Sequence, residues 1–115
     1  SARLWAWDLQ GPGELARPAT PSTDSPHGSR LVYGWPSYAR FDSLAVEAQG
    51  NICVATLDRG GITVCAPQGG LLGFIPVPGD THITNLCFGG PKQSKAYVTQ
   101  SYAGRLVEMD WPAKH

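Results

Sequence analysis

An aspartate at the start of a predicted strand is the side chain in this sequence best placed to do chemistry. Residues 41–56, F-D-S-L-A-V-E-A-Q-G-N-I-C-V-A-T, predict two β-strands joined by a Gly-Asn turn, and Asp42 stands where the first strand begins. A carboxylate in this position can bind a hard cation through its oxygens. The alternative is that Asp42 hydrogen-bonds its own turn, as aspartates often do.

Other catalytic patterns are weak. Ser, His and Asp residues occur without the spacing of a triad, and neither S-Y-A-G nor G-G-P is a nucleophile elbow. No glycine-rich phosphate loop precedes a predicted helix. We interpret His82 as a loop histidine rather than a metal ligand. The sequence around His27 does not indicate a function for that residue.

Composition excludes several classes of partner. The 9 basic and 9 acidic residues cancel with His neutral, and there is no Lys/Arg stripe, so neither nucleic acid nor an anionic membrane is expected as a partner. No apolar run approaches the ~20 residues of a membrane-spanning helix. Because no export signal is visible either, we expect a soluble, cytoplasmic protein.

Three cysteines, an odd number without metal-ligand spacing, predict neither a disulfide framework nor a zinc site. They favour a reducing compartment. Cys53 and Cys65 are equally distant from Arg59, the centre of a predicted Asp-Arg-Gly turn, so we expect them to face each other across a hairpin. We interpret these two cysteines as small apolar side chains within a sheet. The alternative is a functional or redox disulfide between them.

The chain is predicted to be all-β. It has 14 Gly and 10 Pro, and its apolar runs are too short to sustain a helical period. Residues 10–29, rich in Pro, Ser, Thr and Gly, are expected to form a flexible hairpin loop. The predicted strands are residues 3–8, 30–34, 42–47, 52–56, 61–66, 71–75, 84–88, 96–100 and 105–110.

Internal repetition is the strongest structural signal. F-D-S-L-A-V from Phe41 aligns with I-T-N-L-C-F from Ile83, and N-I-C-V-A-T from Asn51 aligns with K-A-Y-V-T-Q from Lys95. The following G-I-T-V-C matches R-L-V-E-M at nearly the same spacing. A unit of four short strands that repeats every ~40 to 50 residues is typical of a β-propeller blade.

The order of the strands predicts a specific architecture. Residues 3–8 and 30–34 supply the third and fourth strands of one blade, residues 42–75 supply a whole blade, and residues 84–110 supply three strands of another. Residues 1–115 are therefore expected to form part of a propeller, with one complete four-stranded blade and two partial ones. Such a chain cannot close a ring, and its open edges invite pairing with another chain. Aromatic residues are expected to pack within blades, or to form a contact surface near an open edge: Trp5, Trp7, Trp35, Tyr38 and Phe41.

The repeat also aligns the polar residues of the two inner strands. Thr84 and Asn85 take the places of Asp42 and Ser43 one blade later, so they are candidates to line the same central channel. The alternative is that these two polar residues only close the start of a strand.

Four motifs carry a family resemblance: F-D-S-L-A-V-E-A-Q-G-N-I-C-V-A-T, G-G-I-T-V-C-A-P-Q-G-G, T-N-L-C-F-G-G-P-K-Q-S-K-A-Y-V-T and G-R-L-V-E-M-D-W-P. Together they resemble the C-terminal part of the regucalcin and gluconolactonase family. The resemblance implies a six-bladed propeller that hydrolyses sugar lactones with a divalent metal, calcium or alternatively zinc, at the channel mouth. Asp42 matches the family aspartate that binds this metal and is proposed as general base. Ser43 replaces the usual glycine, and either adds a hydroxyl ligand or narrows the site.

The resemblance also shows what this chain lacks. Two further family ligands, a glutamate and an asparagine, would lie upstream of Ser1, and one carboxylate is a weak site for calcium, which takes about 6 to 8 oxygens. Two functions therefore remain. The chain contributes Asp42 to a metal-dependent lactone hydrolase that other residues complete, or it is a non-catalytic propeller fragment that self-associates as a binding or assembly module. Its expected partners are the missing N-terminal part or other copies of itself, with a small sugar lactone as the ligand.

Overall fold

β-Strands form nearly all of the regular structure in the computed structural model, which describes residues 2–16 and 28–115. The prediction of an all-β chain is confirmed. The strands are β1 (Arg3–Ala6), β2 (Leu9–Gly11), β3 (Glu14–Leu15), β4 (Arg30–Gly34), β5 (Arg40–Val46), β6 (Ile52–Leu57), β7 (Gly61–Cys65), β8 (Leu71–Pro76), β9 (Ile83–Gly89), β10 (Lys95–Gln100) and β11 (Arg105–Asp110). A 3-10 turn at Pro91–Gln93 connects β9 to β10.

The described strands assemble into the predicted blades. Strands β5-β6-β7-β8 form a four-stranded antiparallel sheet, β9-β10-β11 form a three-stranded sheet, and β1 pairs with β4. These sheets are one complete blade and two partial blades of a β-propeller. Strand β5 contacts β9 of the neighbouring sheet, as the innermost strands of adjacent blades do, so we assign β5 and β9 as the innermost strands.

Burial follows from the stacking of the three sheets. All five residues of β7 are buried, because the complete blade is covered on both faces. Strand β11 instead alternates between exposed and half-buried residues, since only one of its faces meets another sheet. Within the described residues, no helix has the length and apolar character that a membrane crossing requires.

Two apolar clusters hold the sheets together. The larger one joins the complete blade to the three-stranded sheet: Cys53, Ala55, Ile62, Val64, Val77, Ile83, Leu86, Ala96, Val98 and Trp111. The smaller one joins the β1-β4 sheet to the complete blade: Leu4, Val32, Val54 and Cys65. The complete blade is therefore the middle layer of the described structure.

The expected facing of Cys53 and Cys65 is wrong. Cys53 pairs with Val64 and Cys65 pairs with Ile52, so the two cysteines are offset by one residue in the ladder. Because side chains alternate between the two faces of a sheet, the sulfurs lie on opposite faces and belong to different apolar clusters. The connection between β6 and β7 is the predicted turn, residues 58–60, but the last ladder pair is Thr56 with Gly61. The centre of the hairpin therefore falls between Asp58 and Arg59 rather than at Arg59. Both cysteines are free.

The segment predicted as a loop, residues 10–29, begins with structure that the sequence did not indicate. Strands β2 and β3 form a small hairpin whose turn uses Gly13 in a left-handed conformation, with φ of 70°. Residues 17–27, which include His27, lie outside the described residues. The flexibility of the loop therefore stays a prediction.

The aromatic residues divide between packing and exposure. Trp35 meets Tyr33 and Phe74 edge to face, with ring centroids 5.7 and 5.8 Å apart, and Phe41 packs against the smaller cluster. The expectation of blade packing is wrong for Tyr38, which is 74% exposed. Trp7 is also exposed and Trp5 is half-buried.

Candidate functional site

A β-bulge at the start of the inner strand β5 places the candidate aspartate. The ladder between β5 and β6 shifts register between Phe41 and Leu44, so Asp42 and Ser43 together lie opposite the single residue Ala55. A bulge bends its strand and re-aims the side chains it carries, and bulges are frequent beside active sites. Asp42 therefore lies at this bulge near the start of β5, with its side chain exposed.

The next inner strand, β9, carries the same irregularity. Asn85 pairs with Thr99 and Ile83 pairs with Gln100, which leaves Thr84 without a ladder partner of its own. In both blades, two inner-strand residues thus occupy the space opposite one residue of the neighbouring strand. The sequence alignment of Thr84 and Asn85 with the Asp42 pair is therefore also a structural equivalence.

The environments of the four candidate residues differ. Asp42 is exposed, and the Ser43 hydroxyl donates a long hydrogen bond of 3.4 Å to its Oδ1. Within the described residues, this is the one hydrogen bond to the Asp42 carboxylate. The alternative role of Asp42, bonding the backbone of its own turn, is not seen there.

Thr84 and Asn85 are engaged by the fold. The Thr84 hydroxyl lies 2.8 Å from the Thr99 hydroxyl, and Asn85 Oδ1 accepts a 2.8 Å hydrogen bond from the backbone N–H of Leu86. These contacts favour the alternative role, in which both side chains stabilise the start of the strand. Their contact with a substrate stays a prediction.

An ion pair fixes the strand beside the bulge. Arg40 donates from Nε and Nη2 to the two carboxylate oxygens of Asp58, at 2.8 and 2.9 Å. The hydrogen bond from Arg40 is the main reason that the pKa of Asp58 lies below its ordinary value. This bidentate pair ties the start of β5 to the β6–β7 turn, next to the bulge that carries Asp42.

The loop before β9 is held by an aspartate that the sequence analysis missed. The Asp80 side chain is 3% exposed and accepts 2.7 Å hydrogen bonds from the backbone N–H groups of His82 and Ala103. Burial acts to raise the pKa of Asp80, but these backbone hydrogen bonds hold it below its ordinary value. The G-D-T-H segment, an aspartate in a turn, was the available signal.

His82 lies in the same loop, as expected. Its ring meets Tyr102 edge to face with centroids 4.7 Å apart, and its Nδ1 is 3.6 Å from Asp80 Oδ1. The contact with Asp80 is too long for a hydrogen bond. Asp80 and His82 therefore join the loop before β9 to the turn after β10, which stabilises the end of the sheet where Thr84 lies.

Comparison with known families decides the identity of the fold. The model of the SMP-30/gluconolactonase/LRE-like region matches residues 1–102. This chain belongs to that family. A search of curated proteins found no match. The match to this family confirms the resemblance carried by the motifs, and it ends before β11.

The SMP-30/gluconolactonase-like resemblance implies a divalent metal, and the described residues do not complete a site for one. Among them, no group of three or more His, Cys, Asp or Glu side chains converges as a metal site. The Asp42 carboxylate and the Ser43 hydroxyl fall short of the roughly 6 to 8 oxygens that calcium takes. The Asp42 carboxylate lies at the bulge of β5, and a complete ligand set would need residues beyond those described.

Proposed function

We propose that this chain contributes the Asp42 carboxylate to the hydrolytic site of a propeller that opens sugar lactones. The observation that carries this proposal is the bulge on β5, which re-aims an exposed carboxylate at the start of an innermost strand. Membership of the SMP-30/gluconolactonase-like family supports the choice of substrate class. The fold alone would not select a reaction.

The proposed role of Asp42 is general base catalysis. Its carboxylate accepts a proton from a water molecule as the water oxygen bonds to the lactone carbonyl carbon. The ring C–O bond then breaks, the ring oxygen takes up a proton, and the product is the open hydroxy acid. The absence of competing hydrogen bonds, apart from the long one from Ser43, leaves the carboxylate free for this role within the described residues.

We further propose that Asp42 and Ser43 contribute to binding a divalent metal, calcium in preference to zinc, once residues outside the described part of the chain complete the ligand set. Hard oxygen donors favour calcium. The residues that complete the set come from the rest of a longer protein or from other copies of this chain.

The test is the hydrolysis of a sugar lactone, followed by acid release, with calcium and with chelator. We expect Asp42→Asn to lower the calcium-dependent rate by about a hundredfold or more, because general base catalysis contributes on that scale. Glu14→Gln is the matched control, since it removes another exposed carboxylate from the β2-β3 hairpin. If calorimetry detects no calcium binding and no hydrolysis occurs in any oligomeric state, the proposal is overturned for this chain.

A second candidate function is assembly through the outer faces of the partial blades. Leu106 on β11 and Leu31 on β4 are 68% and 47% exposed on the faces turned away from the complete blade. A propeller covers such faces with further blades. Light scattering on a sizing column should show association that Leu106→Glu weakens and that Leu72→Glu, on the complete blade, leaves unchanged.

We also propose that the protein works in a reducing compartment such as the cytoplasm. All three cysteines are free, and those at positions 53 and 65 lie on opposite faces of their sheet, which prevents them from pairing with each other. A mass measurement after purification without reductant should find no disulfide in the chain.

A further inference from the structure

A pocket of about 400 Å³ lies at the far ends of the strands from Asp42. Its walls come from the segments that follow β5, β9 and β11, and they include Glu47, Pro91, Lys92, Trp111 and Pro112. Asp42 is the third residue of β5 and Glu47 follows its last residue, so about 16 Å of strand separates this pocket from the bulge. Nothing in the proposed hydrolytic function uses it.

A buried carboxylate forms part of this pocket. The Glu47 side chain is 3% exposed, and its Oε1 accepts a 2.8 Å hydrogen bond from the Trp111 indole Nε1. The His115 imidazole, 4% exposed, also lies with its Nε2 2.8 Å from Oε1. Within the described residues, the second oxygen, Oε2, is buried without a hydrogen-bond partner. Such an atom requires an explanation, because leaving a buried acceptor unpaired costs about 1 to 3 kcal/mol and more for a charged group.

The carboxylate is charged near neutral pH. Burial, the largest influence, acts to raise the pKa of Glu47, but Trp111, His115 and Asn51 favour the ionised form and hold the pKa below its ordinary value. A charged and buried group is stable when it is paired. Oε1 has its partners, and Oε2 lacks one.

We propose that the pocket binds a small organic ammonium ion whose cationic head pairs with Glu47 and whose apolar body packs against Trp111 and the flanking prolines. A carboxylate next to an indole attracts a cation both by charge and through the ring quadrupole. The pocket volume is in the range of small-molecule sites, which combine apolar walls with a few polar groups. A bare metal ion does not suit the site, because Glu47 is the one carboxylate in its walls.

Lys92 makes the choice of ligand charge testable. Its side chain is part of the pocket wall, and the described residues show no ion pair between Lys92 and Glu47. Lys92 therefore repels an incoming ammonium and would attract an incoming anion. Removing its charge strengthens binding only if the ligand is a cation.

The experiment uses the full chain and the probe 2-phenylethylammonium, with the neutral 2-phenylethanol as a control of similar shape. Titrations are followed by the NMR signal of the Trp111 indole N–H, which reports directly on the Glu47 carboxylate. We expect the ammonium to bind about tenfold or more tightly than the alcohol, since a hydrogen bond to a charged group contributes on that scale. Glu47→Gln should remove this preference, and Lys92→Met should tighten the binding of the ammonium.

Two further variants test ammonium binding separately from the folding of Glu47→Gln and from the proposed hydrolysis. Ala48→Leu narrows the pocket without touching Glu47, and should abolish binding even if Glu47→Gln fails to fold. Asp42→Asn should leave ammonium binding unchanged, so failure of the lactonase proposal and failure of this one are distinguishable. Equal binding of the alcohol, weaker binding in Lys92→Met, or no effect of Ala48→Leu would each overturn the proposal.

Discussion

At the scale of single residues, one backbone irregularity produces two different chemical environments. The bulges on β5 and β9 are equivalent, but the residue opposite the first is Ala55 and the residue opposite the second is Thr99. The Thr99 hydroxyl lies 2.8 Å from that of Thr84, whereas the methyl side chain of Ala55 cannot form a hydrogen bond. Among the described residues, the Asp42 carboxylate therefore keeps only the long hydrogen bond from Ser43.

Glu47 provides a pH-dependent prediction at this scale. Because its pKa in the folded protein lies below the ordinary value of 4.5, its contribution to stability is present above that pH and is lost as the pH falls through the folded pKa. We expect Glu47→Gln to lower the free energy of unfolding by about 1 to 3 kcal/mol at pH 7. Urea unfolding at a series of pH values should show this difference shrinking as the pH falls below 4.5, the ordinary value for this carboxyl.

The exposed acid Glu14 is the matched control for Glu47. Glu14→Gln should leave the stability unchanged at every pH, since the Glu14 side chain is exposed on the small hairpin. If the difference between the natural protein and Glu47→Gln is constant with pH, the charge of Glu47 does not contribute to stability.

At the scale of secondary-structure elements, the close approach of β8 to β7 limits which residue can begin β7. Gly61 begins β7, and a Cβ there would lie 2.4 Å from the carbonyl oxygen of Ile75 and 2.5 Å from the ring of Phe74. Phe74 cannot retreat freely, because its ring packs against Trp35. The first residue of β7 must therefore be glycine for steric reasons.

Gly61→Ala should consequently destabilise the protein by about 1 to 3 kcal/mol, the usual cost of overpacking. Gly73→Ala is the control, since a Cβ at position 73 meets nothing within 4 Å and alanine is less flexible in the unfolded chain. Thermal unfolding of the two variants checks this. Equal melting temperatures would show that β8 moves to accommodate the methyl group.

At the scale of the whole molecule, the described structure is open. Its Cα radius of gyration is 15.2 Å, whereas a closed domain of this length has about 13 Å. The sheets form a stack of three layers, and the outer faces of the two partial blades have no further sheet against them. Stability therefore depends on the two apolar clusters on either side of the complete blade.

The larger cluster predicts cooperative unfolding of two sheets. Ile62 on β7 is fully buried and shares its cluster with Ile83 and Val98 from the three-stranded sheet. Ile62→Ala should lower the free energy of unfolding by about 2 to 5 kcal/mol. Hydrogen exchange should then show weaker amide protection in both the four-stranded and the three-stranded sheet.

Val32→Ala is the comparison for Ile62→Ala, because Val32 is buried in the smaller cluster between the β1-β4 sheet and the complete blade. Its effect on amide protection should concentrate in β1 and β4. If Ile62→Ala leaves the protection of the three-stranded sheet unchanged, the two sheets unfold independently and the shared cluster does not couple them.

The sequence by itself determined nine of the eleven described strands and their blade assignments, and it singled out Asp42 as a candidate. Strand alternation and turn residues act locally, and the repeat aligns Asp42 with Thr84 in the sequence itself. These signals suffice for the two larger sheets, β5-β6-β7-β8 and β9-β10-β11, because their hydrogen-bonded strands are adjacent in sequence.

Two features were decided by the tertiary structure alone: the register between paired strands, and contacts between residues far apart in the sequence. The ladder register between β6 and β7 places Cys53 and Cys65 on opposite faces, because Cys53 pairs with Val64 rather than with Cys65. Residues of these two strands are buried on both faces, so their apolar pattern does not fix this offset of one residue. Glu47 meets Trp111 and His115 across 64 and 68 residues of sequence. No local pattern predicts such a contact, because it exists only after the sheets have packed together and brought the ends of β5 and β11 to the same pocket.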